Sequence, residues 1–232
     1  MSTAKPRKRM SASERRTVIE TAATEVFAAH GYRRASMEEI ASRSGVSVPV
    51  VYDHFSSKRD LHRRLLERHY ADLRDLWRDQ LDVPDPAGDP VVGEDIARAF
   101  DAWFRYIETH PYAWRMLFSD TTGDPDVRAV HATVVTDSRD ALLPFFARLV
   151  GIPYAPEPEG EEAREGGGGD QMSRVEAELA WEVCRNALQG LAMWWLGRPE
   201  VPRERLVAAA MDALWTGLDR SRRGEHWPVG VV

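Results

Sequence analysis

The sequence predicts an all-α chain of about nine helices, a small three-helix head followed by a larger helical body. Three observations carry this. Apolar residues recur three and four positions apart through most of the 232 residues, and no convincing alternating strand is found. Capping pairs and single glycines mark where the first helices start and stop. Two stretches rich in Pro and Gly, at 83–90 and 153–171, interrupt the pattern.

The first helix is expected over 12–30. Val18, Ala22 and Val26 recur every four residues, as do Ile19, Ala23 and Phe27, and together they form one apolar face. Ser11 and Glu14 have capping-box spacing at its start, and Gly31 stops it. A short second helix, 36–44, opens on the same spacing (Ser36, Glu39), turns Ile40 and Ala41 inward and ends at Gly45. The third, 48–54, takes Ser47 as its N-cap. Pro49 falls in its first turn, where a missing N–H costs nothing because that donor has no helical partner.

Ser57 and Asp60 cap a fourth helix, 57–81, which links head and body. Further helices are expected over 92–109, 111–119, 125–150, 172–197 and 201–220. The segment 153–171 carries four consecutive glycines at 166–169 and buries too little apolar surface to stay ordered, so it reads as a flexible loop. The resulting plan is a loose basic arm (1–10), a head (11–60) and a body (61–222).

Charge divides the same way. The net charge is −6, yet residues 1–75 carry 15 Lys and Arg against 10 Asp and Glu, while the remainder carries 16 against 27. All 8 tryptophans lie at Trp77 or later. A basic head on an acidic body confines any attraction for phosphate to the head. The single Cys184 excludes an internal disulfide and a cysteine-rich zinc site, and it fits a reducing cytoplasm. No run approaches the roughly 18 apolar residues of a membrane span. The basic run Lys5–Arg9 is not followed by an apolar stretch, so it does not read as a secretory signal.

The fragment Ile40-Ala41-Ser42-Arg43-Ser44-Gly45-Val46-Ser47 is the informative one. Two short helices must meet steeply through a tight turn. Gly45 can take the left-handed conformation such a turn needs, Ala41 is small where the helices approach, and Val46 and Val51 fill the space beneath. This is a helix-turn-helix, and with the basic flanks it points to DNA.

From Arg15 to Leu66 the chain resembles the N-terminal domain of TetR-family transcriptional regulators. The residues that carry the resemblance are Ala23, Phe27, Gly31-Tyr32, Ser36-Met37, Ile40-Ala41, Gly45-Val46-Ser47, Tyr52, His54-Phe55, Lys58 and Leu61. The resemblance implies that Ser36, Tyr52, His54 and Lys58 bind phosphate, the last with help from the dipole of the fourth helix. Such contacts position a protein without reading sequence. Base reading would fall to the start of the third helix, at Ser47, Val48, Pro49 and Val50. The last three offer no side-chain hydrogen bond but can pack on thymine methyls, so specificity is expected from thymine contacts and DNA shape.

The body concentrates aromatic residues. Trp103, Tyr106, Trp114, Phe118, Phe145 and Trp181 suggest an apolar cavity between helices, with His131, Asn186 and Gln189 as polar handles for a small apolar or aromatic effector. Val183, Ala187 and Leu191, with Leu206, Ala210, Leu214 and Leu218, form a wide apolar surface near the end of the chain. In the resembling family the two final helices of each subunit build a four-helix dimer interface. A homodimer on a palindromic double-stranded operator also suits two recognition helices that must enter grooves about one turn, roughly 34 Å, apart. The implied protein is a bacterial, cytoplasmic, ligand-responsive repressor.

No nucleophile elbow, zinc-binding His-Glu-x-x-His or phosphate loop occurs, so neither enzyme chemistry nor a cofactor is expected. His62 and His69, two turns apart on an Arg-rich helix, carry little weight as a metal pair. Two other readings fit the residues: a DNA-binding regulator or corepressor without an effector, and a helical small-molecule-binding protein whose head no longer binds DNA.

Overall fold

The computed structural model describes residues 10–81, 93–118, 125–149, 168–225 and 227–228, and among these no strand occurs. The helices are α1 (Ala12–Arg34), α2 (Met37–Ser44), α3 (Val48–His54), α4 (Lys58–Leu81), α5 (Gly93–Thr109), α6 (Pro111–Phe118), α7 (Pro125–Leu149) and α8 (Gly168–Leu196). They are followed by α9 (Arg203–Ala210), a π-helical turn (Met211–Trp215) and α10 (Thr216–Arg222). The π turn interrupts what periodicity presents as one helix over 201–220. The basic arm and most of the 153–171 segment lie outside the described residues.

Two compact units form. One contains Met1–His69 with Tyr112–Val134, the other Tyr70–Pro111 with Val135–Val232. Helices α4 and α7 are each continuous through a unit boundary, so the first part of α4 and of α7 belongs with the head.

In the first unit, α1 starts with both halves of a capping box. The Ser11 N–H donates to Glu14 Oε2 at 2.6 Å, and the Glu14 N–H donates to Ser11 Oγ at 3.2 Å. The Ser11 N–H, followed by the Ser11 hydroxyl, holds the Glu14 carboxyl below its usual pKa. Its buried stripe is Ile19, Ala22, Ala23, Val26 and Phe27. Gly31 breaks the helix at φ +70°, and one further turn follows to Arg34. Leu61, Leu65 and Leu66 of α4 are buried in this unit's core, as are His62 and His69.

The turn between α2 and α3 rests on Gly45, at φ +72°. The Val46 N–H then donates to Ala41 O at 3.2 Å, satisfying a carbonyl that the helix end would otherwise leave open. A Cβ added at Gly45 would meet nothing within 4 Å, so the requirement is one of backbone conformation alone. Gly45→Ala is therefore expected to cost about 1–2 kcal/mol, with Gly45→Asn costing less because its short polar side chain tolerates this region. Urea unfolding of the two variants beside the parent chain checks this.

The second unit is built on α5, whose Ile96, Ala99, Phe100, Trp103, Phe104 and Ile107 are buried. Arg203 ties α9 to α5 by pairing with Asp101 at 2.7 Å and with Glu108. Phe104 meets Trp195 edge-on at 6.0 Å, and the Trp195 indole donates to Val201 O at 2.8 Å. Gly93 makes room for the Trp215 indole, whose Nε1 would lie 3.0 Å from any added Cβ.

Candidate functional site

The α2–α3 pair presents one face outward. Ser36 caps α2, its Oγ accepting from the Glu39 N–H at 3.1 Å, which leaves its hydroxyl proton to donate elsewhere. The Glu39 carboxylate does not complete a capping box and instead meets His30 Nε2 at 3.0 Å. Ser47 precedes α3 without a side-chain capping bond. Val51 and Phe55 are fully buried and anchor α3 from below. Arg16 covers the Phe55 ring, its guanidinium 5.6 Å from the centroid.

Elsewhere on α3, Pro49 is exposed and Val48, Val50 and His54 are half-buried. Tyr52 is 48 % exposed, unusual for a large aromatic with core available beside it. Val48, Pro49, Val50, Tyr52 and His54 thus all lie on the short α3, with no side-chain hydrogen-bonding group on Val48, Pro49 or Val50.

Lys58 departs from its expected role. Its ammonium donates to Tyr32 O at 2.9 Å and Ala35 O at 3.0 Å, with Arg33 O at 3.5 Å, and lies 4.5 Å from the Tyr32 ring centroid. It caps the carbonyl end of α1 rather than standing ready for a phosphate. The N-terminus of α4 is held by its own side chains. The Asp60 N–H donates to Ser57 Oγ at 3.0 Å, and Asp60 accepts from the Ser56 N–H, Arg63 and Arg64. The Arg64 hydrogen bond leads in holding the Asp60 carboxyl down at about 2.

Behind this face lies a buried histidine. His62 sits edge-on to Phe27 at 4.8 Å and to Tyr32 at 5.0 Å. Burial pushes its pKa down to about 4, with the charges of His131 and Lys58 adding to the effect. His69 Nε2 lies 3.4 Å from Thr24 Oγ1. No group of residues able to hold a metal ion occurs among the described residues.

The expected effector residues fall in both units. Trp114, Phe118 and His131 belong to the first unit, where Trp114 and Phe118 pack at 4.1 Å and His131 Nε2 donates to Leu117 O at 2.8 Å. His131 therefore braces the end of α6. In the second unit Trp103 packs on Trp77 at 5.4 Å, Phe146 meets Trp181 edge-on at 5.5 Å, and Tyr106 stacks on His110 at 4.4 Å. Trp181 Nε1 is buried with no acceptor among the described residues. Asn186 is not an interior handle. It is exposed, and its amide donates to Glu182 O at 2.7 Å on its own helix. Gln189 accepts from Arg185 at 3.4 Å. The Phe145 side chain lies outside the described residues.

The expected dimer residues also divide. Val183 is 63 % exposed and Ala187 is exposed, so both stand on an outward face of α8, with Leu191 half-buried beside them. Leu206 and Ala210 are buried within the protomer, because that side of α9 packs on α5. Leu214 and Leu218 are half-buried. The outward face instead continues to Val175, Leu179 and Trp194, all exposed. Its signal was present as a strict four-residue repeat, 175–179–183–187, extending the sequence stripe by two turns.

Residues 19–65 match the family described as "Bacterial regulatory proteins, tetR family". The HTH-type transcriptional activator FasR of Mycolicibacterium smegmatis is 34% identical over 145 residues, 62% of this chain and 64% of that protein. The match thus spans less than two thirds of that relative's length. Among solved structures, the fatty acid degradation regulator FadR from Bacillus halodurans superposes with a TM-score of 0.65 at 20% identity, covering 91% of this chain and 98% of that one. FadR from Bacillus subtilis in complex with stearoyl-CoA gives 0.58 at 16% identity, covering 91% and 100%. These structural likenesses concern the fold. The helix-turn-helix falls within the matched residues, so over 19–65 the chain is similar to the tetR family of bacterial regulatory proteins.

Proposed function

We propose that the protein is a DNA-binding transcriptional regulator that acts as a homodimer on a palindromic operator and releases it when a small apolar effector occupies the C-terminal body. The observation that carries the DNA-binding part is the outward face of α3. There an exposed Tyr52 stands beside Val48, Pro49 and Val50, on a helix locked from below by Val51 and Phe55. Positions of that chemistry fit phosphate contact by the phenol and thymine-methyl contact by the aliphatic residues.

A gel shift with the chain's own upstream DNA tests this reading. Binding is expected to weaken with salt. Tyr52→Phe should weaken it at least about tenfold, since a hydrogen bond to a charged acceptor is worth about 1.5–3 kcal/mol. Undiminished binding by Tyr52→Phe would remove Tyr52 from the interface.

The dimer reading is supported by the exposed stripe Val175, Leu179, Val183, Ala187 and Trp194 on α8. A monomer seldom leaves a contiguous apolar stripe of that length in water. The effector reading is supported by the aromatic interior of the second unit and by the buried Trp181 indole, which has no acceptor among the described residues and would suit a ligand carbonyl. A long acyl chain joined to a carbonyl answers both features, and a structural neighbour was solved with stearoyl-CoA. Titration with stearoyl-CoA is expected to raise the melting temperature and to release bound DNA. Saturation at a hundredfold excess over Kd corresponds to about 2.7 kcal/mol of stabilisation. A ligand that raises the melting temperature while tightening DNA binding would instead make the protein a regulator that needs its ligand to bind DNA; FasR is named as an activator.

A further inference from the structure

We propose that Arg33 and Arg34 grip the DNA phosphates, and that Lys58 is the positioning residue that holds them in place without touching DNA itself. The proposal rests on the DNA-binding reading above.

An ammonium has three N–H donors and no acceptor. In Lys58 they face Tyr32 O, Ala35 O and Arg33 O, at 2.9, 3.0 and 3.5 Å, and the Tyr32 ring covers the group at 4.5 Å. A phosphate could reach this ammonium only by stripping a carbonyl at the end of α1 of its partner, which costs desolvation of that carbonyl. The clamp acts on the end of α1. Arg33 and Arg34 are exposed in the last turn of α1, between the Gly31 break and the Ser36 cap of α2.

The other paired head arginines have carboxylate partners. Arg16 and Arg68 share Glu20, Arg43 is on Glu25, and Arg63 and Arg64 are on Asp60. Arg33 and Arg34 carry no ion pair among the described residues. They are not required to offset the dipole at the end of α1 either, because the Lys58 ammonium already sits on its carbonyls. Two guanidinium groups with no ion pair among the described residues lie two and three residues ahead of a helix N-cap whose hydroxyl proton is unspent. That is a phosphate-binding arrangement.

The test is binding of the full-length chain to a mixed-sequence duplex of about 30 base pairs, long enough to hold two heads one turn apart, followed by anisotropy against salt concentration. Mixed sequence suffices because non-specific binding is electrostatic. The surface double variant Arg33→Gln/Arg34→Gln should keep the parent melting temperature. Its plot of log K against log salt should be shallower by about two per head, so about three to four per dimer. Lys58→Met should weaken binding in the parent background and change nothing further in the double variant, the non-additivity expected of a residue that acts through the arginines.

A slope unmoved by the arginine double variant overturns the proposal. So does an equal loss from Lys58→Met in both backgrounds, which would mark a direct phosphate contact. A parent chain that binds no duplex at low salt overturns both this proposal and the reading on which it rests.

Discussion

Replacing Leu179 and Val183 together by glutamate is expected to turn the dimer into monomers and to weaken operator binding by about 100- to 10,000-fold, the range lost when a second linked contact disappears. Both side chains are more than 60 % exposed in the protomer, at 61 % and 63 %, so the change leaves the folded subunit intact. Surface substitutions of this kind usually shift stability by no more than about 0.5 kcal/mol. In a dimer each glutamate would be a charge buried against an apolar partner, close to Glu178 and Glu182 of its own helix. Sedimentation and anisotropy on the same samples check both halves of the prediction. Persistence of the dimer in the double variant would place the interface elsewhere. By the same reasoning Leu206→Ala should damage folding before it damages pairing, since Leu206 is buried within the protomer.

The second large effect is a loss of head stability as pH falls from about 6.5 to 4. His62 is buried between Phe27 and Tyr32 and titrates near 4, against about 6.5 for an exposed imidazole. Above 6.5 the ring is neutral in both folded and unfolded chains, and its contribution is constant. Between 6.5 and 4 the unfolded chain takes up a proton that the folded one refuses, so stability is lost through that window and no further below it. The interval corresponds to about 3 kcal/mol, using about 1.4 kcal/mol per unit. Burial is the leading cause, followed by the charges of His131 and then Lys58.

His62→Phe keeps the ring packing and removes the titration. Urea unfolding at pH 7 and pH 4.5 should show most of the parent's loss missing in the variant. A variant that loses as much as the parent would assign the acid sensitivity to carboxylates such as Asp60. Because Tyr32 touches both His62 and the Lys58 ammonium, acid should also loosen the last turn of α1, which carries Arg33 and Arg34.

The head was legible in the sequence because its determinants are local. Ser11 with Glu14, Ser36, Ser57 and Gly45 act within a few residues, and each occupies the cap or turn that its type demands. The π turn at Met211–Trp215 is announced by no residue pattern. The polar assignments in the body failed for a physical reason. Asn186 and His131 each satisfy a backbone carbonyl, and nothing in their spacing distinguishes that from a ligand contact. Lys58 misled in the same way. Its position at the start of α4 suits a phosphate, but the carbonyls that claim it lie 23 to 26 residues away in sequence. The stripe on α8 was half visible, and its extension to Val175 and Leu179 follows once exposure is known.

The central claim is that the α2–α3 pair reads duplex DNA as one half of a dimer. Selection of binding sequences from a random duplex library by the full-length chain tests it most directly. An enriched inverted repeat with half-site centres about one turn, roughly 34 Å, apart is the expected result. Thymines are expected opposite the Val48–Val50 end of α3, as is their loss of preference in Val50→Ala. Enrichment of a single unrepeated site, a half-site built on guanine contacts, or no enrichment at all would contradict the claim.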